Sequence, residues 1–99
     1  MPSLHIALQE GFDGDLVVVR VNGKEALRKE DVSTRMQIGL AASVDAVWEG
    51  ESARVEVEIP TRKISRTVEE ALRTESYLGI SIRDGAIEHR VSTEPFGYV

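Results

Sequence analysis

The chain contains no cysteine in 99 residues. That excludes a disulfide framework, a thiolate metal site and a thiol nucleophile, and it fits a reducing compartment. Aromatic residues make up only 5%. Long apolar runs are missing as well, since nothing approaches the ~18 residues that a membrane-spanning helix requires. The opening stretch MPSLHIALQE has no basic start followed by a continuous apolar run. No secretory leader is therefore expected, and the expected location is cytoplasmic. Concentrated positive charge is absent too. The formal net charge is -5, from 12 basic and 17 acidic residues interspersed along the chain. Nucleic-acid binders neutralise phosphates with a basic patch, so no nucleic-acid partner is expected. Only TRKISR, residues 61–66, is locally basic; it reads as a solvated turn, with an anion-binding patch as the functional alternative. Neither a Rossmann nor a phosphate-loop glycine pattern occurs, which argues against an α/β fold.

What remains is alternation. An apolar share of 41% over 99 residues suits one domain, residues 1–99, with a single core. The dominant period is two, the mark of strands with one buried face. In SLHIALQE, Leu4, Ile6 and Leu8 alternate with His5, Ala7 and Gln9. In ARVEVEI, Ala53, Val55, Val57 and Ile59 oppose Arg54, Glu56 and Glu58, and Pro60 ends the run, because proline donates nothing to a ladder. RMQIGL places Met36, Ile38 and Leu40 together and reads as a further strand.

Two dipeptides set register. Asn22-Gly23 and Asp84-Gly85 suit the positive φ angles of a two-residue hairpin loop. The first would set Arg20 opposite Glu25, as a cross-strand ion pair, and Val18 opposite Leu27. The second would set Ile82 opposite Ile87, Ile80 opposite His89, and Leu78 opposite Val91. Between two strand patterns lies GFDGD, residues 11–15. Its paired aspartates invite a metal reading, but calcium needs six to eight oxygens, and the chain runs from Asp15 straight into LVVVRV. The loop reads as a turn. Residues 63–69 read as a strand; Thr67 and Glu70 at capping-box spacing make a short helix over 67–74 its rival.

Together these signals predict an all-β fold: a single antiparallel β-sandwich of seven or eight strands, with at most one short helical turn near 67–74. The segments VVVRVNGKEALRKEDV, ARVEVEIP, YLGISIRDGAIEHRV and the ending EPFGYV resemble small immunoglobulin-like or transthyretin-like sandwiches that serve as accessory modules in bacteria. The resemblance implies architecture and attaches no activity. An immunoglobulin domain proper would set a cysteine pair around a tryptophan; here Trp48 stands without cysteines.

Few residues offer chemistry. His5 falls on the polar side of its strand and reads as solvated. His89 falls on the apolar side with Ile80, Ile87 and Val91, where a partly buried, hydrogen-bonded histidine is the plain reading and a pH-sensitive or catalytic one the sharper alternative. Ser81, Ser92 and Asp84 lie close by in sequence, but alternation sets Ser81 on the face opposite His89, and no GxSxG elbow accompanies them. Two separated histidines form no familiar zinc motif, so no metal and no cofactor are expected. Phe96 and Tyr98 are two of five aromatics in the chain; they would either plug an end of the sandwich or reach a partner, as aromatics do in binding hot spots. SLHIALQE reads as a poorly guarded sheet edge, ARVEVEIP as a guarded one. The functional expectation is a non-catalytic interaction or structural module that uses a sheet edge or the aromatic tail, with a protein partner or a homodimer. The alternative is a small-ligand, carbohydrate or metal binder, or a weak hydrolase centred on His89.

Overall fold

The computed structural model describes residues 3–35, 37–47, 53–70, 76–92 and 94. Eight strands follow in order: β1 (Ser3–Leu8), β2 (Asp15–Val21), β3 (Lys24–Val32), β4 (Ala42–Val47), β5 (Ala53–Ile59), β6 (Ile64–Glu70), β7 (Ser76–Arg83) and β8 (Ala86–Ser92), with a 3-10 turn at Pro60–Arg62. They form two four-stranded sheets, β4-β1-β7-β8 and β3-β2-β5-β6. Leu4, Ile6, Leu8, Leu78, Ile80 and Ile82 from the first sheet meet Val17, Val19, Val21, Val55, Val57 and Ile59 from the second in one buried cluster. The sandwich expected from the alternation is thus observed. Val55 is 2% exposed and Val57 0%, so the period-two reading of inside and outside holds there. One neighbour pair departs from the antiparallel rule: β1 and β7 run parallel.

Both hairpin dipeptides do what their φ preferences demand. Asn22 and Gly23 sit at φ 51 and 82, Asp84 and Gly85 at φ 53 and 76, the doubly left-handed geometry of a type I′ turn. The β7–β8 register is the expected one, with Ile82 opposite Ile87, Ile80 opposite His89 and Leu78 opposite Val91. The β2–β3 register is only half as expected. Arg20 does face Glu25, but the pairing then slips, and Leu27 faces Val19 while Val18 faces Arg28. The extra residue is Ala26. Without this bulge Leu27 would share the outer face with Val18; with it, Leu27 packs against the core beside Val19. The expected Arg20–Glu25 ion pair does not form. Arg20 instead reaches Glu56 at 3.1 Å and Glu58 at 3.4 Å on the other neighbouring strand, and Glu25 takes Arg28 at 2.8 Å.

Two further expectations need correction, and one alternative is decided. RMQIGL is not a strand: residues 37–39 form a turn, closed by Arg35 C=O accepting from Ile38 and Gly39 N–H at 3.1 and 2.8 Å. Gly39 there takes φ 69, which a strand would not require. The fourth strand is ASVDAV instead. Between the two readings of residues 63–74, the strand is the one observed: β6 runs along β5 from Ile59↔Ile64 to Ala53↔Glu70, and the rival helix is absent as far as Glu70; residues 71–75 lie outside the described set. Finally, β1 is not an edge, since β4 and β7 flank it, and β5 lies between β2 and β6. The edges are β4, β8, β3 and β6.

Gly79 illustrates how the outer face of the first sheet is finished. It pairs with Ala7, and a Cβ there would meet the Gln9 amide at 2.6 Å. Because the atoms met belong to a side chain and not to backbone, Gly79→Ala is expected to lower the melting temperature by no more than about 5 °C, corresponding to about 1 kcal/mol, in a calorimetric scan.

Candidate functional site

The aspartate loop resolves into scaffolding. Asp15 is 3% exposed, and its carboxylate is saturated by the protein itself. Arg62 donates from Nε to Oδ1 and from Nη2 to Oδ2, both at 3.0 Å. Thr61 Oγ1 donates at 2.9 Å and the Asp13 N–H at 2.9 Å. The same Arg62 Nη2 also reaches Gly11 C=O at 3.0 Å. A fork-to-fork arginine–carboxylate pair of this kind is both strong and directional. Burial by itself raises the Asp15 pKa, but the bonds from Arg62, Asp13 and Thr61 outweigh it and hold the carboxyl below its ordinary value. Arg62 is correspondingly raised by Asp15. The basic cluster TRKISR therefore spends one of its cations on this latch. Among the described residues no three histidine, aspartate or glutamate side chains gather as a metal site.

His5 lies on the outer face of the first sheet, as alternation predicts, yet it is not simply solvated. It stands opposite Asp45 on one side and Tyr77 on the other. Its Nδ1 is 2.6 Å from Asp45 Oδ1, and its ring stacks on Tyr77 with centroids 4.6 Å apart. This row across three strands could be read in the sequence only after the strand order was known, because the three residues come from positions far apart in the chain.

His89 turns inward from β8, opposite Ile80. It is half-buried, and its Nδ1 is buried without a hydrogen-bond partner. At Nδ1, then, the ring lacks the hydrogen bond expected from the sequence. No carboxylate or hydroxyl among the described residues hydrogen-bonds this ring. Ser81 pairs with Glu88 on the other face, and Ser92 accepts from the Glu94 N–H at 3.0 Å. The structure does not bring His89, Ser81, Ser92 and Asp84 together as a nucleophilic constellation. Phe96 and Tyr98 lie outside the described residues.

Where the two sheets meet at their β6 and β8 margins, a groove of about 380 Å³ is lined by Lys63, Ile64, Ser65, Arg66, Gly85, Ala86 and Ile87. His89 is not part of its lining. Arg66 crosses the groove and donates from Nη1 to Ile87 C=O at 3.1 Å. That bond ties the margins together and shows which way the Ile87 carbonyl points.

The four edges differ in how they are guarded. β3 carries Lys24, Glu25, Arg28, Lys29 and Glu30 and two register slips, devices that discourage further pairing. β6 carries Arg66 on its inner row and Glu69 on its outer row, beside Ser65 and Thr67. β4 has a single charge, Asp45, already engaged with His5. β8 alone among the described strands exposes a large apolar side chain, Val91, at 40%. Among the described residues no helix is long and apolar enough to cross a membrane. The chain matches no protein-family model and no curated protein.

Proposed function

We propose that the protein is a non-catalytic interaction or structural module that joins a protein partner, or another copy of itself, through a sheet edge. The observation that carries this reading is β8: an unguarded end of an edge strand where Val91 is exposed. An edge with open backbone groups accepts an added strand through main-chain hydrogen bonds, and alternate side chains supply selectivity. The likeness to bacterial immunoglobulin- or transthyretin-like accessory modules and a cytoplasmic location belong to the same reading. The aromatic tail, lying outside the described residues, adds nothing to it here.

The test is amide mapping by NMR, on the protein alone up to about 1 mM and with extended peptides selected from a random library. Edge pairing predicts that protection and shift changes fall on one edge strand. Perturbations confined to a sheet face or to loops would overturn the reading, as would a protein that neither self-associates nor selects any peptide.

A further inference from the structure

The direction of the β8 backbone can be read from bonds made by its neighbour. Ile82, opposite Ile87, donates its N–H to Glu10 C=O at 2.8 Å. Ile80, opposite His89, accepts from the Gln9 N–H at 2.7 Å. Both groups thus point away from β8, so Ile87 and His89 occupy non-hydrogen-bonded pairs with β7. In an antiparallel ladder such residues aim their own N–H and C=O outward. Arg66 bonding Ile87 C=O from outside agrees with this. By the two-residue period, Val91 aims outward as well. The outer edge of β8, which no other described strand covers, thus presents the backbone of three residues in the order Ile87, His89, Val91.

We propose that this edge is the self-association surface, and that a second copy of the chain adds its own β8 antiparallel about a two-fold axis through His89. The inference rests on the edge-pairing reading above and names the occupant and its register. Outward groups must pair with outward groups, which leaves few registers. With the axis at His89, Ile87 faces Val91 of the second copy, and Glu88 faces Arg90 in both directions. Moving the axis to Arg90 sets arginine against arginine, and moving it to Glu88 sets glutamate against glutamate. Like charges directly opposite are destabilising and unlike ones favourable, so the segment Ile87-Glu88-His89-Arg90-Val91 is self-complementary in one register and repulsive in its two neighbours. This is the isologous contact that two-fold symmetry requires. On the inner side, Ile87 and Val91 close a continuous apolar strip, covering the exposed valine. His89 faces His89 of the second copy at the axis. Ile87 C=O keeps its bond to Arg66, since a carbonyl oxygen has two lone pairs.

Sedimentation equilibrium of the full chain tests this together with charge exchange. A reversible dimer is expected. Glu88→Arg alone should weaken it at least about tenfold, through two unlike pairs made repulsive, and Glu88→Arg with Arg90→Glu should restore it. Because the chain has no cysteine, His89→Cys places one thiol per copy at the axis. There the Cα separation of about 5.5 Å in a hydrogen-bonded pair suits a disulfide, so mild oxidation should link the copies. An equal mixture of Glu88→Cys and Arg90→Cys chains should also cross-link, and Glu88→Cys alone should not. A monomer at about 1 mM with no His89→Cys link would overturn the β8 dimer, as would a dimer indifferent to the charge exchange. In either case peptide mapping to an edge would leave the broader edge reading standing, and mapping elsewhere would remove both.

Discussion

Gly11→Ala is expected to cost about 4 kcal/mol and to lower the melting temperature by roughly 20 °C, given about 4–8 °C per kcal/mol at this size. Two effects combine. Gly11 takes φ 91, in a region that L-residues with a Cβ avoid. An added Cβ would also stand 2.0 Å from Ile82 C=O and 2.9 Å from its carbonyl carbon. Those atoms belong to β7 backbone whose N–H already bonds Glu10 C=O, so neither side can yield without breaking a ladder. Chemical denaturation of the variant beside Gly79→Ala, whose added methyl meets the Gln9 side chain first, separates the two cases. Similar losses in both would show that backbone contact at Gly11 is not the cause.

Asp15→Asn is expected to destabilise the fold at neutral pH by about 2–3 kcal/mol. Removing one partner of a buried ion pair costs about 3–5 kcal/mol, and Arg62, whose side chain is 33% exposed, recovers part of that from water. The effect has a defined pH dependence. The Asp15 pKa is lower folded than its ordinary value of 3.8. The pair's stabilisation is therefore complete above the unfolded value and is lost as pH falls through the folded one. Wild type and Asp15→Asn should converge in denaturant midpoint as the medium is acidified below that range, and differ fully near neutrality. A constant gap down to pH 2 would show that shape or hydrogen bonding, not charge, accounts for the loss.

Both predictions concern the same five residues, GFDGD, and together they show what kind of information a local sequence holds. That this stretch turns the chain between two strands was legible from its glycines and its apolar flanks. That Asp15 is the anchor of a latch was not, because its partner Arg62 follows 47 residues later and belongs to a segment that reads as a solvated basic turn. The same division recurs along the molecule. His89 could be placed on the inner face from alternation and the Asp84-Gly85 hairpin. Its partnerless Nδ1 could not, because hydrogen-bond satisfaction depends on what the opposite sheet brings near. Alternation places His5 outside, where it lies, but its stack on Tyr77 and its bond to Asp45 need the order of β4, β1 and β7.

Misread segments have physical reasons as well. RMQIGL alternates as a strand does, but Gly39 in the left-handed region lets the chain reverse there, and periodicity over six residues carries no sign of that. The bulge at Ala26 is not legible in the pattern, because the slip moves Leu27, Arg28 and Lys29 to opposite faces while the order of apolar and polar residues along the chain stays the same. The charges of SLHIALQE and ARVEVEIP suggest edges, although each strand lies between two neighbours. Edge character is a property of the assembled sheet.

By itself, then, the order of apolar and polar residues determined that the chain forms β-strands, which face of most of them is buried, and where two of its hairpins turn, because these depend on side-chain direction and φ preference within a few residues. The tertiary structure alone decided which strands became neighbours, that β1 and β7 run parallel, that Arg62 closes on Asp15, and that β8 was left at a margin. Those outcomes are settled by pairing energies between segments tens of residues apart, which no local window contains.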